Sequence, residues 1–256
     1  VDAQGRPLGL PSSQRTRAHA DGAHDAPLNR EDWERVAVIF ILSFFVIFFW
    51  MAFEQAGASL TVFADRQTDR GLLGWTVPAS WFQSINAVAI VLFAPVFALL
   101  WQKLGARKLD PSTPVKMSLG FVFLGLGYLV IAFGVKGVGA DVKVSMMWLV
   151  GLYLMHTFGE LCLSPIGLSA VSRLSPPRFA SLMMGVWYLA SSAANKLAGV
   201  LSSFYPEAGK PTPVLLGYRV TGLHEFFIIF VAMSAVAGTV LFLLARPISR
   251  WSHGRA

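Results

Sequence analysis

Two carboxylates stand inside long apolar runs of this chain, Glu54 in FFWMAFEQAG and Glu160 in HTFGELCLSPIGLS. Placing a carboxylate in hydrocarbon costs at least ~2.5 kcal/mol on insertion scales, so such residues usually face a bundle interior or a wet cavity and carry function. The blander alternative for each is a carboxyl capped by solvent at a membrane boundary, or one held neutral by a local hydrogen bond. An unbroken helix from Val36 would carry Glu54 ~27 Å along, and one from Val144 running the other way would carry Glu160 ~24 Å. The two acids are therefore expected at opposite ends of a shared cavity, an arrangement suited to two gates that each close against a basic partner.

Other polar residues share these runs. Asn86 can donate and accept in a cavity, or can simply join two helices by a hydrogen bond. Lys196 lies ~12 Å of helix from the nearest end of its run, too far for easy snorkelling, so a carboxylate or carbonyl partner is expected. His156 precedes Glu160 by one helical turn and shares its face. The pair could relay protons or bind a metal, but two ligands make no metal site, and a structural hydrogen bond is the preferred reading. Trp187, Tyr188, Ser191 and Ser192 form an aromatic and hydroxyl surface, with Trp187 and Ser191 on one face. That surface fits either ligand cover or ordinary helix packing. Gly120, Gly127 and Gly134 recur every seven residues, as close helix contact requires.

The elements that hold these residues are membrane helices. Of the 256 residues, 55% are hydrophobic and only 14% charged, too apolar for an ordinary soluble domain. Six nearly uncharged stretches are long enough to span, approximately Val36 to Phe53, Val77 to Leu100, Val115 to Phe133, Val144 to Leu163, Ser181 to Phe204 and Phe226 to Ala245. They are continuous rather than alternating, which excludes a transmembrane barrel. The fold class is thus all-α integral membrane, divided into a polar cytoplasmic linker over 1–32, a six-helix bundle over 33–246 and a cytoplasmic tail over 247–256.

The net charge of +7 reflects topology rather than nucleic acid. Of 21 basic residues, fourteen fall before the first span, in the even-numbered connections and after the last span, six in the odd-numbered connections, and one, Lys196, inside a span. By the positive-inside rule both termini face the cytoplasm. Cys162 is the sole cysteine, so neither a disulfide framework nor a metal-binding thiol pair exists. No phosphate loop of the GxxxxGK[ST] type occurs, so energy must come from a gradient or another chain. GLGY at Gly125 to Tyr128 lies within a continuous helix and is not a potassium filter. An intramembrane protease constellation is also missing.

Three runs carry a family resemblance: Phe48 to Arg70, Trp81 to Trp101, and above all GELCLSPIGLSAVSRLSPPRFASLMMGVWYLASSAANKLAG from Gly159 to Gly199. They resemble the proton-dependent oligopeptide transporters of the major facilitator superfamily. That family has twelve helices in two six-helix halves, and this chain is similar to the C-terminal half, a bundle of two inverted three-helix repeats. Acidic residues followed by helix-weakening clusters in the first and fourth spans agree with such a repeat.

The resemblance implies roles residue by residue. Glu160 resembles the acid that binds the peptide amino terminus, and Glu54 an acid of proton coupling at the outer gate. Asn86 resembles a ligand of the peptide backbone or amino group, and Trp187 and Ser191 resemble pocket residues. Lys196 and His156 match common sequence without a firm role. The family's EXXER motif and first-half Lys fall outside this stretch. The implied partners are the N-terminal six-helix half, di- and tripeptides, protons and the lipid bilayer, with no cofactor beyond protons as coupling ion and no nucleic acid. The implied function is proton-driven peptide symport across the plasma membrane by alternating access. The alternatives are another proton-coupled facilitator, for nitrate or drugs, or a non-transporting receptor or scaffold.

Overall fold

The computed structural model describes residues 28–139, 142–207 and 209–254. The linker expected over 1–32 lies outside the described residues up to residue 27, as do the last two residues of the tail.

Helix α1, Arg30–Phe53, starts from a capping box in which Asp32 N donates to the Asn29 side chain and Asn29 N to the Asp32 side chain. It breaks in a 3₁₀ turn at Glu54–Gly57 and resumes as α2, Ser59–Arg66. Breaking a helix inside a membrane frees backbone carbonyls, and no water is at hand to take them. Side chains take them instead. Tyr128 Oη donates to the Ala52 carbonyl at 2.6 Å. The fully buried Gln55 amide donates to Met51 O at 3.2 Å and across to Ala198 O at 3.0 Å, while Ser59 Oγ donates to Gln55 Oε1 at 2.6 Å.

The remaining long helices are α3 (Trp81–Ala106), α4 (Thr113–Gly134), α5 (Met146–Leu174), α6 (Ala180–Ser202) and α7 (Leu223–Leu243), and a short α8 (Ala245–Trp251) ends the chain. Among the described residues, five stretches are long and apolar enough to cross a membrane: Arg30–Arg66 as one unit, α3, α4, α5 and α7. Helix α6 has the length, with 23 residues, but Asn195, Lys196 and four serines keep its composition less apolar.

Contacts between the connections fix the alternation of direction. Thr68 and Val144 pair in a short parallel ladder, and Tyr205 Oη donates to Gln67 Oε1 at 2.7 Å, so the connections after α2, α4 and α6 share one end. At the other end His253 Nε2 meets Glu34 Oε2 at 2.7 Å, joining the chain after α8 to the start of α1. This second end also carries Lys103, Arg107, Lys116 and Arg173. Two hairpins at the first end, Gly71–Leu72 with Trp75–Thr76 and Val214–Leu215 with Tyr218–Arg219, turn on the same Leu-Gly pair in left-handed backbone (Leu73, Gly74; Leu216, Gly217).

The core centres on α4, which packs against α5 and α7. Gly120 and Gly159 approach so closely that a Cβ on Gly120 would lie 2.9 Å from Gly159 O, and one on Gly159 2.8 Å from Gly120 O. The glycine heptad therefore serves helix contact, with Gly127 against His156 and Gly134 against Trp148. Helix α3 leans on α5 and buries only Phe82 and Ala89, while α6 leans mainly on α1.

Candidate functional site

Helix α5 brings Glu160 to the middle of the bundle, fourteen residues from Met146 and fourteen from Leu174. The break after Phe53 keeps Glu54 off the end of its span, twenty-four residues from Arg30 and twelve from Arg66. The full bilayer depth expected between the acids is thereby corrected. That expectation ended the first span at Phe53 and the fourth at Leu163, whereas both helices run on by more than ten residues.

Asn86 on α3 stands between the acids. Its Nδ2 donates to Glu160 Oε2 at 2.9 Å and to Thr157 Oγ1 at 3.1 Å. The same residue lines a small cavity of about 180 Å³ that also holds Glu54, Gln83, Tyr153 and His156. Glu160 opens on the other side into a larger cavity of about 690 Å³ between α3 and α5, which runs past Phe97 to Trp101, Lys116 and Arg173 at the basic end. Each acid thus has its own cavity, and Asn86, which lines the smaller one, donates to the acid of the larger. Among the described residues neither acid makes an ion pair.

The other residues singled out from the sequence are placed differently. His156 is buried, its ring 4.8 Å from Tyr128 and 5.8 Å from Phe53, and its Nε2 finds no hydrogen-bond partner among the described residues. No cluster able to hold a metal ion occurs among the described residues. Lys196 is exposed on the face of α6 that the described residues leave uncovered, and among them it has no carboxylate or carbonyl partner of the kind expected for it. Trp187 is 5% exposed and packs its indole on Gly167 of α5. Ser191 Oγ turns back to Trp187 O at 3.4 Å. Neither lines the two cavities, whereas Tyr188 and Ser192 face outward beside Lys196.

Three contributors escaped the sequence reading: Thr157, Gln55 and Tyr128. Thr157 carries a signal in retrospect, a hydroxyl three residues before Glu160 on the same face. Gln55 and Tyr128 do not, because what they satisfy is a helix break visible only in three dimensions.

The model of the POT family matches residues 23–214, a stretch that includes all of these site residues. The chain belongs to the POT family. Among its POT-family relatives, the peptide transporter YePEPT of Yersinia enterocolitica is 42% identical over 178 residues, which are 69% of this chain and 35% of the relative. A di-/tripeptide transporter of Lactococcus lactis subsp. cremoris is 32% identical over 79% of this chain and 38% of its own length. The crystal structure of a peptide transporter POT in complex with sulfate superposes with a TM-score of 0.75 at 31% identity, covering 93% of this chain and 46% of that one. The chain spans less than half the length of these POT-family proteins. It is a multi-pass membrane protein of a transporter family, not an enzyme.

Proposed function

We propose that the chain is the C-terminal half of a proton-coupled symporter of di- and tripeptides. The observation that carries this reading is a pair of acids inside the bundle, Glu54 and Glu160, each facing a cavity and neither given a cation by the described residues. An acid so placed calls for a counter-charge from outside the chain. A peptide ammonium supplies one on the Glu160 side, and a proton neutralises the other. The relatives named as peptide transporters support the substrate class.

In this reading Glu160 receives the peptide amino terminus, with Asn86 as a second polar contact, and Glu54 carries the coupling proton. Trp187 and Ser191 shape the cavity from α6 only once a further element covers that helix. The scarcely buried α3 and the exposed polar face of α6 supply the surface on which the N-terminal half closes. The six long helices form two inverted repeats of three that rock against the other half. The basic end of the bundle faces the cytoplasm, both termini with it, in the plasma membrane. A potential of 100 mV contributes ~2.3 kcal/mol per charge and a tenfold proton gradient ~1.4 kcal/mol, enough for accumulation by roughly several hundred-fold per proton.

The test is uptake of a labelled dipeptide into proteoliposomes holding the chain together with its N-terminal half. Unrelated di- and tripeptides should compete, and free amino acids and long peptides much less. Equal competition by nitrate or drugs would assign another facilitator class, and binding without uphill accumulation would assign a receptor. The chain without its other half should accumulate no peptide.

A further inference from the structure

Thr157 is fully buried, and its single hydroxyl proton is committed: Oγ1 donates to the Tyr153 carbonyl at 2.8 Å. Toward Asn86, 3.1 Å away, that oxygen can only accept. Glu160 Oε2, 2.9 Å from the same amide, is an acceptor as well. Both neighbours therefore demand N–H from Asn86. The reversed amide would set its carbonyl oxygen against a hydroxyl lone pair and a carboxyl oxygen at once, which is repulsive on both sides. The network thus decides an orientation that the side chain's shape leaves open. Oδ1 is turned away from α5, and it makes no hydrogen bond among the described residues.

We infer that Thr157 is a positioning residue: it locks the Asn86 amide so that the NH₂ group serves Glu160 and the carbonyl stays free to accept from a substrate N–H. The inference rests on the proposed peptide-transport reading for what the amide binds, but not for the lock itself. The cause lies in the fold. A threonine inside an apolar helix back-bonds to the carbonyl four residues earlier, and this converts a hydroxyl of either polarity into a pure acceptor. Removing it leaves Asn86 with one anchor and free to rotate.

Two measurements separate the lock from its use. In the chain assembled with its N-terminal half in nanodiscs, the side-chain amide protons of Asn86 are identified by NMR from the signal that Asn86→Ala abolishes. Their exchange with solvent should be at least about tenfold faster in Thr157→Val than in the parent, and parent-like in Thr157→Ser, which keeps the hydroxyl. Unchanged exchange in Thr157→Val overturns the inference. Thr157→Ala makes the same deletion if the valine variant fails to assemble.

The second measurement is dipeptide affinity in a double-mutant cycle. Thr157→Val should weaken binding about five-fold to tenfold, Thr157→Ser should restore it, and Thr157→Val should add nothing in an Asn86→Ala background. Additive losses would overturn the positioning role, because a merely structural hydroxyl acts independently of Asn86. Parent protein that shows the locked amide but binds no dipeptide would refute the transport reading and leave the lock standing.

Discussion

Replacing Gly159 with Ala tests how tightly α4 and α5 hold Glu160. The added Cβ would fall 2.8 Å from Gly120 O and 3.4 Å from both Leu124 N and Phe49 Cε2. The first partner is backbone and cannot rotate aside, so the two helices must separate by about 0.5 Å to restore ordinary contact. A gap of that size forfeits about a quarter of a ~0.1–0.2 kcal/mol well for each affected atom pair, and on the order of 40 pairs gives ~1–2 kcal/mol. That lies within the ~1–3 kcal/mol usual for overpacked cores. For a chain of this size the melting temperature should fall by about 2–8 °C, read from intrinsic tryptophan fluorescence in detergent. Gly120→Ala should behave alike, and the double variant should cost less than the sum because the first alanine has already parted the helices. Gly185→Ala and Gly199→Ala are the controls: no atom lies within 4 Å of their added Cβ, so stability should hold or rise slightly. A Gly159→Ala protein that melts with the parent would refute the claim that backbone contact sets the α4–α5 distance.

Glu160→Gln removes a charge-assisted contact of ~1.5–3 kcal/mol, so peptide affinity should fall by about tenfold or more; undiminished affinity would take it out of the binding site. Glu54→Gln should keep peptide binding and counterflow but lose proton-driven uptake, and parent-like driven uptake would remove Glu54 from coupling. Tyr128→Phe removes one of two donors to the Ala52 carbonyl, the Glu54 N–H remaining, and should cost ~0.5–1.5 kcal/mol of thermal stability. Outside the membrane, Glu207 is held below the ordinary 4.5 by Lys210 at 3.0 Å and by Arg66 at 3.7 Å. This contribution is present above pH 4.5 and is lost as pH falls through the depressed value, so Lys210→Ala should raise the Glu207 titration toward 4.5 in a carboxylate NMR experiment.

Much of the architecture was legible because hydrocarbon permits few solutions. A continuous uncharged run must be a helix there, and its length must match the bilayer. The acids stood out for the same reason, since a carboxylate in a span is costly. Their depth was not legible, because the first apolar run ends at Phe53, just before Glu54. The Glu-Gln-Ala-Gly segment is polar and helix-weakening, so it reads as an end, but Gln55 and Tyr128 satisfy its freed carbonyls and the span continues to Arg66. For Lys196 the described residues supply no partner. A cation within a span calls for a partner, yet its face of α6 is left open by this chain.

The sequence by itself determined the helical membrane fold class and the glycine contacts of α4, and it singled out Glu54, Asn86 and Glu160 as polar residues inside apolar runs, because each follows from one residue's cost or periodicity in an apolar solvent. Only the tertiary structure decided that Asn86 joins α3 to α5, that Thr157 takes one of its N–H groups and Glu160 the other, and that the two acids open into separate cavities. Those facts depend on residues more than seventy positions apart meeting within 3.1 Å. Distances of that kind are set by how α3 leans on α5 and by where a broken helix is re-satisfied, which are properties of packing shared among helices and carried by no single one.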